Sequence, residues 1–151
     1  MKIKDVVVSQ ARDIASQSQA ISIPRPPKGW IYTLRTALGM TGAQLGERLG
    51  VKKGRISQME AMESQGRITV QQLARAADAM QCDLVIAFRP RQPIDQIVAR
   101  QARKKALAVA SETQAHMALE AQALDKRTFE REVERLAEEF QRTLPGDLWD
   151  E

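Results

Sequence analysis

Met40-Thr-Gly-Ala-Gln-Leu-Gly-Glu-Arg-Leu-Gly-Val-Lys-Lys-Gly-Arg-Ile-Ser-Gln-Met-Glu60 decides the fold. Thr41 and Gln44 stand three apart, the spacing at which a hydroxyl and an amide satisfy each other's backbone N–H groups at a helix start. Leu45 and Leu49 follow at helical spacing, and Gly50 stops the helix. Val51 opens a tight turn, and a further helix carries Ile56, Met59 and Glu60. The reading is therefore two short helices joined by a turn, each with one apolar face.

Outward from this core the punctuation continues. Upstream, Ile31, Leu34 and Leu38 share a helical face that Gly39 ends. Downstream, Thr69 and Gln72 repeat the capping pattern ahead of Leu73, Ala76, Ala77 and Met80. Then the period changes. Cys82-Asp-Leu-Val-Ile-Ala-Phe88 is short, rich in β-branched residues and closed by Arg89-Pro90, so it reads as one short β-strand over 83–88. A lone strand needs a partner, which a second copy across a dimer axis or the Ile21–Ile23 stretch would supply.

The flanks are helical too. Residues 5–18 suit a short amphipathic helix with Val7, Ala11, Ile14 and Ala15 on one face, and three prolines within 24–27 make a stiff linker after it. Trp30 reads as a core anchor at the end of that linker. From Pro93, a stripe of Ile94, Ile97, Val98, Ala102 and Leu107 begins a helical run without proline or glycine through Leu124. Phe129, Val133, Leu136 and Phe140 mark a last helix, ended by Leu144-Pro145-Gly146. The organisation expected is an N-terminal helical arm over 1–23, a compact domain with its terminal strand over 24–91, and a C-terminal helical region for partner binding or dimerisation over 92–151.

Charge is unevenly spread. The 151 residues carry a net +4, yet residues 24–91 hold eleven basic and five acidic groups, and residues 112–151 hold five and eleven. A basic middle points to a polyanion, and an acidic tail to other work. Aromatic content of 4% makes the core aliphatic and favours helices. Cys82 is the single cysteine, so no internal disulfide forms, and cytoplasmic chemistry is the default expectation. The Val6-Val7-Val8 run is too short for a secretory leader, and no stretch is apolar enough to span a membrane. His116 is the lone histidine, with no cysteine or second histidine to share a metal. No catalytic triad, phosphate-cradling loop or carboxylate pair stands out, so neither an enzyme nor a cofactor is expected.

Residues 30–80 resemble the Xre/Cro/CI helix-turn-helix family of phage-repressor type, on the apolar spacing, the turn glycine and the Ile-Ser-x-x-Glu pattern of 56–60. The resemblance implies a mainly α protein: a five-helix, lambda-repressor-like domain, here with the short strand and a C-terminal helical extension. It implies a double-stranded DNA operator as partner and a third helix lying in the major groove. The unpaired strand 83–88 and the apolar stripe of residues 94–107 add the expectation of a homodimer on half-sites about one helical turn apart. The positions the resemblance assigns to DNA are Lys52, Lys53, Gly54, Arg55, Ser57 and Gln58, with Thr41 and Gly42 at the phosphates. Arginine and lysine suit guanine, and glutamine suits adenine. Gly54 stands where the family commonly has a polar residue, and Gly42 where it often has a glutamine, so one base contact and one phosphate contact are thinner. Arg35 and Glu60 match a buried salt bridge that orients the third helix.

The wider chain resembles the narrower mobile mystery protein A family, on Arg25-Pro-Pro-Lys-Gly-Trp30, Gln101-Ala-Arg-Lys-Lys-Ala106, His116-Met-Ala-Leu-Glu-Ala-Gln122 and the closing Leu148-Trp149. That resemblance implies the antitoxin of a toxin–antitoxin pair, a repressor that also binds and inhibits an AMP-transferring Fic-domain enzyme. Inhibitory partners of Fic enzymes present Ser/Thr-x-x-x-Glu-Gly/Asn, the glutamate excluding the γ-phosphate of ATP. His116, Glu120 and Ala121 have this spacing but depart at both ends. Thr128 and Glu132 share the spacing, with bulky Val133 following. A plain repressor with dimerising C-terminal helices, or an adaptor that has lost DNA binding, are the alternatives.

Overall fold

In the computed structural model, which describes residues 2–120 and 124–151, the chain is mainly α. Seven helices run in order among the described residues: α1 (Ile3–Gln17), α2 (Trp30–Ala37), α3 (Gly42–Leu49), α4 (Lys53–Ser64), α5 (Val70–Ala79), α6 (Ile94–Leu119) and α7 (Lys126–Thr143). They form two compact units, one over Ser22–Ala87 and one from the chain's first 21 residues together with Phe88–Glu151. No helix among the described residues is long and apolar enough to cross a membrane.

The Ser22–Ala87 unit packs α2–α5 around Ile31, Leu45, Ile56, Met59, Ala76 and Met80, each at most 5% exposed. Burying side chains of the size of Ile31, Leu45 and Ile56 stabilises by roughly 1.5–3 kcal/mol each. The helix starts follow from local chemistry. At α3, Thr41 Oγ1 accepts from the Gln44 N–H at 3.1 Å, and Gln44 Oε1 accepts from the Thr41 N–H at 2.8 Å. Thr69 and Gln72 make the same reciprocal pair at α5. Gly50 adopts the left-handed conformation (φ +70°) that ends α3, and the Val51 N–H donates to the Gly46 carbonyl at 2.8 Å.

The start of α2 is built differently. No side chain in the preceding turn caps it. Instead the Glu63 carboxylate, arriving from α4, accepts from the N–H groups of Trp30 at 2.6 Å and Ile31 at 2.9 Å. An anion at a helix N-terminus satisfies orphan donors and opposes the helix dipole. Gly29 makes room for it: a Cβ there would meet the Glu63 carboxylate at 2.7 Å. Trp30 is 43% exposed and lies outside the core cluster, so it is not the anchor its position suggested; Ile31 fills that role.

Two expectations fail in this unit. Residues 83–88 form no strand, and the unit holds four helices, not five. A strand exists through its ladder hydrogen bonds, and within the described residues the backbone of Asp83–Ala87 finds none. Val85 and Ile86 are 78% and 59% exposed, so β-branched composition had no neighbour to pack against. The remaining N-terminal helix, α1, clusters with the other unit.

In that second unit, α6 and α7 pack through Ala106, Ala110, Val133 and Ala137, with Phe129, Leu136 and Phe140 closing the sides. Small residues on one face let two helices approach closely. The C-terminal turn docks on α6: Leu148 is 2% exposed, Gln101 Nε2 donates to the Leu148 carbonyl at 2.9 Å, and Lys105 pairs with Asp147 at 2.8 Å. The ammonium of Lys105 holds the Asp147 carboxyl below its ordinary range. α1 is held by polar contacts, Arg12 to Asp95 at 3.1 Å and Lys4 Nζ to the Leu144 carbonyl at 2.6 Å. Val7 and Ile14, on the shared apolar face of α1, are 57% and 70% exposed.

Candidate nucleic-acid interface

The start of α3 and the first two turns of α4 share one surface. A shallow hollow of about 420 Å³ joins Thr41 and Gly42 to Lys53 and Ser57, with Arg35, Ile56 and Glu60 beneath. Thr41, Lys52, Lys53, Gly54, Ser57 and Gln58 are exposed, while Arg55 and Gly42 are half-buried. Ile56 and Met59 interleave with them and are buried, which fixes which side of α4 faces outward.

Neither α3 nor α4 carries an acidic residue in its first turn. Lys52 caps α4 without a side-chain hydrogen bond. No acidic side chain in either first turn offsets the positive helix ends beside Lys52, Lys53 and Arg55, an arrangement suited to phosphate. Gly54 has nothing within 4 Å of where a Cβ would stand, so it leaves a gap in the outward face. Arg55 Nη1 donates to Gln58 Oε1 at 2.6 Å, linking two of the outward side chains.

Beneath this surface the structure brings Arg35 and Glu60 together. Arg35 Nε lies 2.7 Å from Glu60 Oε1, with the two side chains only 17% and 18% exposed. Arg35 Nη1 also donates to the Met40 carbonyl at 3.0 Å, tying α2 to the approach to α3. Its guanidinium lies 5.3 Å from the Tyr32 ring centre.

Sequence reasoning passed over two residues that shape this site. Glu63 joins the end of α4 to the start of α2 across 33 positions, a contact no local spacing announces. Gly46 lets α3 meet the turn: a Cβ there would stand 2.5 Å from the Val51 carbonyl oxygen. Its place among apolar neighbours one turn before Gly50 was the available signal.

The other set of candidate residues lies in the second unit. His116 is exposed in the last turn of α6, and Glu120 is exposed as its C-cap, with the helix ending at Leu119. Ala121 lies outside the described residues. Gln114 brackets this end, exchanging hydrogen bonds with the Leu124 N–H at 3.0 Å and carbonyl at 2.8 Å. Glu132 is engaged by Arg135 at 2.8 and 3.0 Å, and that hydrogen bonding keeps its carboxyl below the ordinary range. The Thr128 N–H is taken by Asp125, the N-cap of α7.

Residues 31–86 match the helix-turn-helix family model, a match that ends before α6. Comparisons with curated proteins and with solved structures return no match.

Proposed function

We propose that this helix-turn-helix protein is a sequence-specific DNA-binding transcription regulator that lays α4 in the major groove. The observation that carries the reading is the shared surface: two helix starts without acidic residues and the outward row Lys52, Lys53, Arg55, Ser57 and Gln58, backed by a buried Ile56–Met59 face. Phosphate contacts at Thr41, Gly42 and Lys52 set the register, and the α4 side chains read base edges. Lys53→Ala and Gln58→Ala are expected to weaken a selected duplex by about 1–3 kcal/mol while changing random duplex less. Titrations of both duplexes at two salt concentrations check this. Equal losses on the two would assign these residues to the backbone, and affinity that ignores salt would remove the polyanion reading.

The finer proposal is that the regulator is the antitoxin of a Fic-type pair, its C-terminal unit binding and inhibiting an AMP-transferring enzyme. Its support is the resemblance of the C-terminal segments and the exposure of His116 and Glu120 at one end of α6. Glu120 is the better inhibitory candidate of the two glutamates, because Glu132 is already spent on Arg135. Co-expression of a Fic enzyme encoded beside this chain with the Glu120→Gly variant is expected to restore AMP transfer while the complex still co-purifies. Full inhibition by that variant would eliminate Glu120.

A further inference from the structure

The bond from Arg55 to Gln58 changes what Gln58 offers a base. A glutamine side chain has one acceptor oxygen and two N–H donors. Its bidentate pairing with adenine needs both ends, the oxygen accepting from N6–H and the nitrogen donating to N7. Here the oxygen faces the Arg55 guanidinium at 2.6 Å, across three positions of α4. Three apart on a helix is a natural pairing distance, and a charged donor makes the bond a strong one. What remains outward is mostly donors: the Gln58 amide N–H groups, and the Nη2 and Nε edge of Arg55, with the second lone pair of the Gln58 oxygen held beside a cation.

We infer that Arg55 and Gln58 work as one braced, donor-rich reader, so that the operator presents guanine to both. Guanine offers two acceptors, O6 and N7, in the major groove, whereas adenine offers N7 alone beside an amino donor that the Arg55 cation disfavours, and cytosine offers only an amino donor. Thymine O4 is the next best acceptor at Gln58. Arg55 thus acts twice, as a base reader and as the residue that sets which base Gln58 accepts. Gly54 next to it adds no side chain and leaves the guanidinium room to settle.

This inference rests on the DNA-reading function proposed above, and one experiment separates the two. Duplexes are selected from a randomised pool by the full chain, by Gln58→Ala and by Arg55→Met, which keeps an apolar stem in place of the half-buried arginine. The base whose preference vanishes in Gln58→Ala is the one Gln58 reads. The natural chain is expected to select guanine there, on the order of tenfold over adenine in matched duplexes. Arg55→Met frees the glutamine oxygen, so the preference at that base moves to adenine, and a neighbouring guanine preference is lost. Adenine selected by the natural chain, or an unchanged preference at that base in Arg55→Met, overturns the brace. A pool from which nothing is enriched overturns the DNA-reading function itself, and the inference falls with it.

Discussion

Arg35→Ala is expected to destabilise the Ser22–Ala87 unit by about 3 kcal/mol, the lower end of the cost of breaking a buried ion pair from one side, since both side chains keep some access to water. Three losses combine. The Glu60 carboxylate, 18% exposed, is left without its counter-ion, the Met40 carbonyl loses its donor, and one of the two cations beside the Tyr32 ring disappears. Small domains have only about 0.05–0.15 kcal/mol of stability per residue, so a loss of this size approaches the unit's whole margin. Thermal melts followed by circular dichroism should show the transition falling by on the order of 15 °C or more. The double change Arg35→Met, Glu60→Leu is expected to recover most of it, since an apolar pair strands no charge. A loss under about 1 kcal/mol for the single change would mean that water reaches the pair freely.

Gly46→Ala carries the second large effect, and its sign runs against helix propensity. Inside a helix the change ordinarily gains about 0.5–1 kcal/mol. At this position the new methyl meets only backbone: the Val51 oxygen at 2.5 Å, the Lys52 carbonyl carbon at 3.3 Å and the Val51 carbonyl carbon at 3.4 Å. No side chain can swing aside, so the turn between α3 and α4 must move, and overpacking of this kind costs about 1–3 kcal/mol or more. Overpacking exceeds propensity, and the variant should be destabilised. Moving that turn also tilts α4 against α3, separating Lys53 and Gln58 from Thr41 and Gly42. Affinity for a selected duplex, measured well below the melting temperature, should fall at least about tenfold, the equivalent of one lost base contact. A variant more stable than the natural chain with unaltered DNA binding would show that the turn is not the tight constraint it is taken to be.

What could be read in advance followed local rules. Capping pairs at Thr41 and Thr69, glycine stops at Gly39 and Gly50 and helical spacing of apolar residues are encoded within four or five positions, and all of these helices are present. The Arg35–Glu60 contact was legible only because a repressor-like pattern supplied the pairing. What escaped depends on distant neighbours. Glu63 reaches α2 through the tertiary fold, and Gly46 matters through one approach of the backbone. Composition alone made Cys82–Phe88 a strand, although no other backbone among the described residues completes a ladder with it. The apolar stripe of α1 leaves Val7 and Ile14 exposed, and polar contacts from Lys4 and Arg12 hold that helix. The helical run expected through Leu124 stops at Leu119, which puts Glu120 at a helix end and not within one.

The central claim is that the start of α3 and the outward face of α4 meet DNA. An amide chemical-shift titration of the full chain with a selected duplex tests it most directly. The account predicts that the largest changes fall on Thr41, Gly42 and Lys52–Gln58, growing with added duplex and fading as salt rises. Changes confined to α6 and α7, or none at stoichiometric duplex in low salt, would contradict it.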